Sequence, residues 1–167
     1  KVMQEVVAIA HRFGPHGRGT VGMVQVFPNS RNVIPGQVKF SIDFRNMTDA
    51  LVDEMDAAIR AFAKQTEAET GLTIAIQLVS DYPAVPFHPD CKDAVRRAAD
   101  KLGYSNMDIV SGAGHDAVYM AGLAPTGMIF IPCKDGISHN EIEDTLPEQV
   151  TAGANVLLHA MLERAGC

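Results

Sequence analysis

Val38-Lys39-Phe40-Ser41-Ile42-Asp43-Phe44-Arg45 alternates apolar and polar residues without a break, and the chain beyond it changes period between Thr48 and Gly71. Alternation puts Val38, Phe40, Ile42 and Phe44 on one face of an extended strand and Lys39, Ser41, Asp43 and Arg45 on the other. Thr48 or Asp49 supplies the side-chain acceptor that starts a helix. Leu51, Met55, Ile59 and Phe62 then recur at i, i+4, i+8 and i+11 along one side of that helix, which Gly71 stops. Leu72, Ile74, Ile76 and Leu78 alternate again as a further strand. Upstream, Val21, Met23 (shifting to Val24) and Val26 make residues 20–27 a strand. The Pro35-Gly36 turn ends the connection of residues 28–36, and residues 14–19, rich in Gly, Pro and His, form a loop. Val2, Val6, Ile9 and Phe13 stand near helical spacing, in a helix that begins without a capping residue, as the tail of something longer would. Helix, strand, strand, helix, strand is most of a split βαβ, ferredoxin-like sandwich that lacks its first strand.

Three prolines in residues 82–89 mark a linker, so two domains are expected, 1–81 and 82–167. In the second, residues 89–102 read as a helix, 107–110 and 128–131 as short buried strands around a helix near 115–122, and 146–164 as a closing amphipathic helix capped by Thr145. The fold class is therefore α/β, an incomplete ferredoxin-like α+β unit followed by a second α/β unit.

The 167 residues carry 47% hydrophobic and 20% charged side chains, enough apolar material for a core. A net charge of -6 and the absence of a basic stripe argue against nucleic acid or an anionic membrane as partner. No uninterrupted apolar run is long enough to span a bilayer, and the first residues lack a signal-peptide cleavage pattern. Cys91, Cys133 and Cys167 are odd in number, scattered and without a CxxC pair, which suits free thiols in a reducing cytoplasm.

Three groups of residues carry possible chemistry. His139 follows the apolar run 128–132 and the loop Gly136-Ile137-Ser138, a position from which an imidazole can reach a divalent metal; a single histidine is nevertheless too few ligands for a hydrolytic centre, and a solvated loop histidine is the plain alternative. Asn32, in the loop before the clean strand, and Arg45, at its end, are expected to approach across the Pro35-Gly36 turn. A guanidinium fork with an amide beside it grips a carboxylate, whereas an arginine merely paired with Asp43 or Asp49 would contribute little. In Ser111-Gly112-Ala113-Gly114-His115-Asp116, which opens a helix, glycine lets the backbone approach a ligand closely or simply permits a tight turn. His11, His16, His88 and His159 have surface or packing contexts.

Taken in order, Thr20-Val21-Gly22, the segment Pro28-Asn29-Ser30-Arg31-Asn32-Val33-Ile34-Pro35-Gly36, Asp43-Phe44-Arg45, Ser111-Gly112-Ala113-Gly114-His115-Asp116-Ala117 and Ser138-His139-Asn140-Glu141 resemble the successive motifs of the amidase/hydantoinase/carbamoylase enzymes. These form a branch of the aminoacylase-like metallopeptidases that includes N-carbamoyl-L-amino acid hydrolases, allantoate amidohydrolases and beta-ureidopropionases. Members are about twice this length. The resemblance implies that residues 1–81 are part of the lid or dimerisation domain and 82–167 the C-terminal part of the catalytic domain. It also implies a site with two divalent ions, zinc or else manganese, cobalt or nickel. His139 would be the last metal ligand, with Asn140 or Glu141 hydrogen-bonding around it. Asn32 and Arg45 would bind the carboxylate of an N-carbamoyl amino acid or ureido acid, and Gly114 would touch the substrate through its backbone, with His115 and Asp116 in the wall. The catalytic glutamate and the other metal ligands have no counterpart in this sequence, so no catalytic residue is assigned. A homodimer is implied, and a non-catalytic dimerisation module is the reading of a different class.

Overall fold

The structure, a computed structural model, describes residues 1–166, so the free thiol expected at Cys167 lies outside the described residues. Cys91 and Cys133 are free. The chain is a mixed α/β protein, mostly helical with two small sheets, and divides into two compact units, Lys1–Ala84 and the remainder from Val85. No helix among the described residues is long and apolar enough to cross a membrane.

In the first unit, α1 (Val2–Arg12) precedes β1 (Arg18–Thr20), β2 (Val24–Phe27), β3 (Gln37–Phe40), β4 (Asp43–Arg45) and α2 (Asp49–Thr70). The two expected strands form one long antiparallel ribbon broken in its middle. β1 pairs with β4 through Gly19↔Phe44, and β2 pairs with β3 through Val24↔Phe40 and Val26↔Val38. Between the pairs Thr20↔Asp43 and Val24↔Phe40, residues 21–23 face only 41–42, so the first strand carries one extra residue, a bulge. Ser41 bridges the break: its Oγ accepts from Met23 N–H at 3.1 Å and its own N–H donates to Met23 O at 3.1 Å. Because the bulge shifts the phase by one, Gly19, Val21, Val24 and Val26 share a face with Val38, Phe40, Ile42 and Phe44 along the whole ribbon.

Half of that face is covered. Val6, Ile9 and Ala10 of α1 and Met55 and Ile59 of α2 are buried together, with Phe13, Val21, Ile42 and Phe44 packed against them. α1 lies so close to β1 that a Cβ on Gly19 would stand 2.6 Å from Val6 O and 3.1 Å from Phe44 Cε1. The other half, with Val24 at 47% and Val38 at 42% exposure, is open. α2 begins where its sequence says: Thr48 Oγ1 accepts from Leu51 N–H at 3.4 Å, and Gly71 ends it in the left-handed region at φ 71°. Its buried stripe is Met55, Ile59, Ala63 and Thr66, rotated slightly from the expected one, with Leu51 and Phe62 at its margin.

The strand expected at 72–79 does not form. Its backbone groups are taken by side chains of α2 instead: Glu67 Oε1 accepts from Ile74 N–H at 2.6 Å, and Arg60 Nη1 donates to Ile76 O at 3.4 Å. Alternation set the side-chain faces, but among the described residues no neighbouring edge offers a ladder to complete a strand. The sandwich is thus reduced to a ribbon and two helices among the described residues.

The second unit holds α3 (Pro89–Lys101), the short α4 (Asp116–Ala121), a 3-10 turn at Lys134–Gly136 and α5 (Pro147–Ala165). Ala94, Ala98 and Ala99 of α3 pack on Val156 and Ala160 of α5, with Val95, Leu102 and Ile129 around them. Arg97 Nη2 reaches Glu163 Oε1 at 2.5 Å across the exposed side of that pair. His88 has a definite task that its sequence context hid: its Nδ1 accepts from Asp90 N–H at 3.2 Å and caps α3. The strands expected at 107–110 and 128–131 are absent for the same lack of a partner ladder, and Met107 and Ile109 are exposed rather than buried. Thr145 does not cap α5. That position falls to Leu146, while Thr145 Oγ1 donates to Pro132 O at 2.8 Å.

Candidate functional site

The residues that the motifs single out lie on both units. In the first, Asn32 belongs to the loop joining β2 to β3 and Arg45 ends β4, so they sit on different two-stranded pairings rather than side by side across the Pro35-Gly36 turn. That expected approach is corrected by the register: β3 runs from the turn toward Phe40, and β4 continues away from it. Asn32 is exposed and its Oδ1 accepts from Ser30 Oγ at 2.9 Å. Arg45 meets Asp43 through Nε to Oδ1 at 2.8 Å and Nη2 to Oδ2 at 2.9 Å. This hydrogen bonding holds the Asp43 carboxyl below the usual carboxylate range and raises the Arg45 guanidinium further, against the smaller opposing effect of partial burial.

In the second unit the loop 111–115 leads into α4. Ser111 Oγ lies 2.7 Å from His115 Nε2 and accepts from Ala113 N–H at 3.2 Å, closing the loop on itself. The His115 ring stands edge-on to Phe130 with centroids 5.4 Å apart. Gly114 is exposed, its φ lies outside the left-handed region, and a Cβ placed on it would meet nothing within 4 Å. Neither packing nor backbone conformation within this chain therefore calls for glycine there.

His139 is exposed and sits not at a strand end but in a clasped loop. Lys134 N–H donates to Asp144 O at 2.7 Å and Thr145 ties to Pro132, so the two legs of the loop are pinned together below the histidine. Ser138 Oγ lies 3.1 Å from His139 Nδ1. The acceptor for the His139 backbone N–H is Glu143 Oε2 at 2.8 Å, and Asn140 Oδ1 accepts from Ile142 N–H at 3.2 Å. Nothing in the sequence pattern singles out Glu143, because a side chain that holds a backbone N–H leaves no residue-type signature at its partner. Among the described residues no three His, Cys, Asp or Glu side chains converge as a metal site. The donor set fits one ligand of a metal centre, an imidazole held from its Nδ1 side, and not a whole centre.

The sequence profile of Peptidase family M20/M25/M40 matches residues 8–163. Over 165 residues the chain is 46% identical to an N-carbamoyl-L-amino-acid amidohydrolase of Rhizobium meliloti, covering 99% of this chain and 40% of that protein. It is 29% identical over 165 residues to an allantoate amidohydrolase of Bacillus subtilis, again 99% of this chain and 40% of that protein. Among solved structures it superposes on an amidase of the hydantoinase/carbamoylase family from Burkholderia multivorans with a TM-score of 0.92 and 55% identity, over 98% of this chain and 40% of that one. The chain thus spans 40% of the length of each of these relatives.

Proposed function

Since the chain belongs to peptidase family M20/M25/M40, in its hydantoinase/carbamoylase amidase branch, we propose that it forms the C-terminal part of a metal-dependent amidohydrolase that removes the carbamoyl group from N-carbamoyl-L-amino acids. The observation that carries the choice of substrate is the 46% identity, over 99% of the chain, to a protein named for that reaction. Residues 1–81 act as the lid and dimerisation domain, whose ferredoxin-like sandwich is completed in the longer enzyme, and residues 82–167 belong to the catalytic domain. The half-covered apolar face at Val24 and Val38 supports a second copy as the lid's partner, in a homodimer of the reducing cytoplasm.

His139 supplies one ligand to a two-ion site, zinc, manganese, cobalt or nickel, and the remaining donors come from the rest of the enzyme. Such ions, when bound, polarise the carbamoyl carbonyl and lower the pKa of a bound water. Arg45, its fork already steadied by Asp43, binds the substrate carboxylate, and Asn32, in the β2–β3 connection, is a second substrate-binding residue away from that fork. Gly114 lets the substrate approach the backbone, a role supported by the open space where its Cβ would be.

The 29% identity to an allantoate amidohydrolase supports a second reading, in which allantoate is the substrate. Ammonia release by the full-length enzyme tests both, with N-carbamoyl-L-amino acids, allantoate and N-carbamoyl-beta-alanine side by side. Preference for the first class by at least tenfold in kcat/KM is expected, preference for another replaces the substrate, and no turnover with any of them leaves the dimerisation module as the reading.

A further inference from the structure

His139 has a backbone φ of 57°, in the left-handed region that only a few per cent of non-glycine residues occupy, with histidine, asparagine and aspartate the commonest among them. A conformation of this kind persists only where its surroundings impose it, and such outliers concentrate at working sites. The surroundings here are specific. Glu143 Oε2 accepts from His139 N–H at 2.8 Å, and Glu143 N–H in turn donates to Asn140 O at 3.0 Å, so residues 139–143 close on themselves through one carboxylate and one turn. Asn140 Oδ1 takes Ile142 N–H inside the same turn. With Ser138 Oγ 3.1 Å from Nδ1, the histidine is constrained at its main chain and at its ring.

We propose that Glu143 is a positioning residue: its carboxylate, by holding the His139 N–H, imposes the left-handed turn that aims the imidazole. This rests on the reading of His139 as a metal ligand, and it assigns to Glu143 no contact with metal or substrate. An anionic acceptor is well suited to the task, because a backbone N–H at an exposed loop otherwise exchanges its partner for water, and a charged acceptor competes better than a neutral one. Main-chain control also differs from ring control. A ring partner sets the tautomer, whereas the φ of the ligand residue sets where the whole side chain departs from the loop.

The test compares Glu143→Ala, Glu143→Gln and His139→Ala. In the 167-residue chain, the short intraresidue distance between the His139 amide and α protons that accompanies positive φ gives a strong nuclear Overhauser effect, readable without metal or activity. It should be lost in Glu143→Ala and retained in Glu143→Gln, whose amide oxygen still accepts. In the full-length enzyme, zinc affinity measured by chelator competition should fall at least tenfold in Glu143→Ala and recover most of that loss in Glu143→Gln. An unchanged Overhauser pattern in Glu143→Ala, or a lost pattern with unchanged zinc affinity, overturns the proposal. His139→Ala separates the two layers: if it weakens zinc binding while Glu143→Ala does not, the ligand stands and the positioning role falls, and if it leaves zinc binding intact, the ligand reading itself falls.

Discussion

Asp43 and Arg45 point the same way from β4, two residues apart, and meet through two parallel hydrogen bonds of 2.8 and 2.9 Å. On a strand, i and i+2 share a face, so this pairing follows directly from the extended backbone. Both side chains are half exposed, which makes the pair a weak contributor to folding and a steady mount for a guanidinium.

Arg45→Ala in the full-length enzyme should therefore separate binding from stability. Losing hydrogen bonds to a charged carboxylate costs about 1.5–3 kcal/mol, which raises KM roughly 10- to 150-fold, while the exposed pair is worth at most about 1 kcal/mol to the fold. Steady-state kinetics beside a thermal melt reads both quantities. Arg45→Lys should not restore binding, because an ammonium cannot reproduce the fork. An unchanged KM would take Arg45 out of the site.

The same pair makes a pH statement. Hydrogen bonding by Arg45 lowers the Asp43 pKa in the folded chain, so over the acid range the unfolded chain binds the proton first. The stabilisation is fully present above the ordinary carboxylate pKa and is lost as pH falls through the depressed folded value. Half exposure keeps the effect small. Urea midpoints followed down from neutral pH should fall less steeply for Asp43→Asn than for the wild type.

Two glycines should answer alanine in opposite ways. At Gly19 the added methyl would stand 2.6 Å from Val6 O and 3.1 Å from Ala10 Cβ, against backbone and core that cannot give way, so Gly19→Ala should cost about 1–3 kcal/mol. At Gly114 nothing lies within 4 Å, so Gly114→Ala should leave the denaturation midpoint of the chain unchanged and lower kcat/KM of the full-length enzyme. Equal denaturation midpoints for the two variants would refute the packing argument.

The 167-residue chain by itself should retain no tightly held ion after dialysis and should release no ammonia from N-carbamoyl amino acids. One imidazole supplies too few donors to fix an ion or acidify a bound water. Metal analysis beside the ammonia assay checks this. About one ion held per chain would reveal further ligands, with His115 and Asp116 the first residues to substitute.

What could be read in the sequence depended on whether the cause was local. Thr48 and Gly71 limit α2 through contacts made within a few residues, and both limits are seen where their chemistry puts them. The slip from Met23 to Val24 in the alternating pattern is the bulge at 21–23, written as a phase change. Residues 72–79, 107–110 and 128–131 were misread because alternation or an apolar run says which side chains share an environment, and a strand also needs another backbone beside it. His88 and Thr145 exchanged expectations for a related reason. A polar residue near a helix start is able to cap it, and whether it does is settled by where the incoming chain lies: His88 caps α3, and no side chain caps α5. Asn32, Arg45, Gly114 and His139 were legible only as members of motifs, since an exposed side chain has no packing pattern to announce it. Glu143 belongs to no such pattern and became visible only through its hydrogen bond.

The two cores differ in grain. Val6, Ile9, Met55 and Ile59 fill the first with branched and long side chains, whereas the second joins α3 to α5 through Ala94, Ala98, Ala99 and Ala160 around a single Val156. Alanines let helices draw close, but each removes little apolar area from water, and hydrophobic stabilisation scales with that area. On α5, Leu157, Leu158, Met161 and Leu162 remain between 41% and 62% exposed and add little to the seam. The two halves of the isolated chain should consequently behave as separate cooperative units of unequal strength: amide protons of α3 and α5 exchange with solvent deuterium before those of α1 and α2, and mild denaturant opens the alanine seam while the ribbon and its two helices still stand.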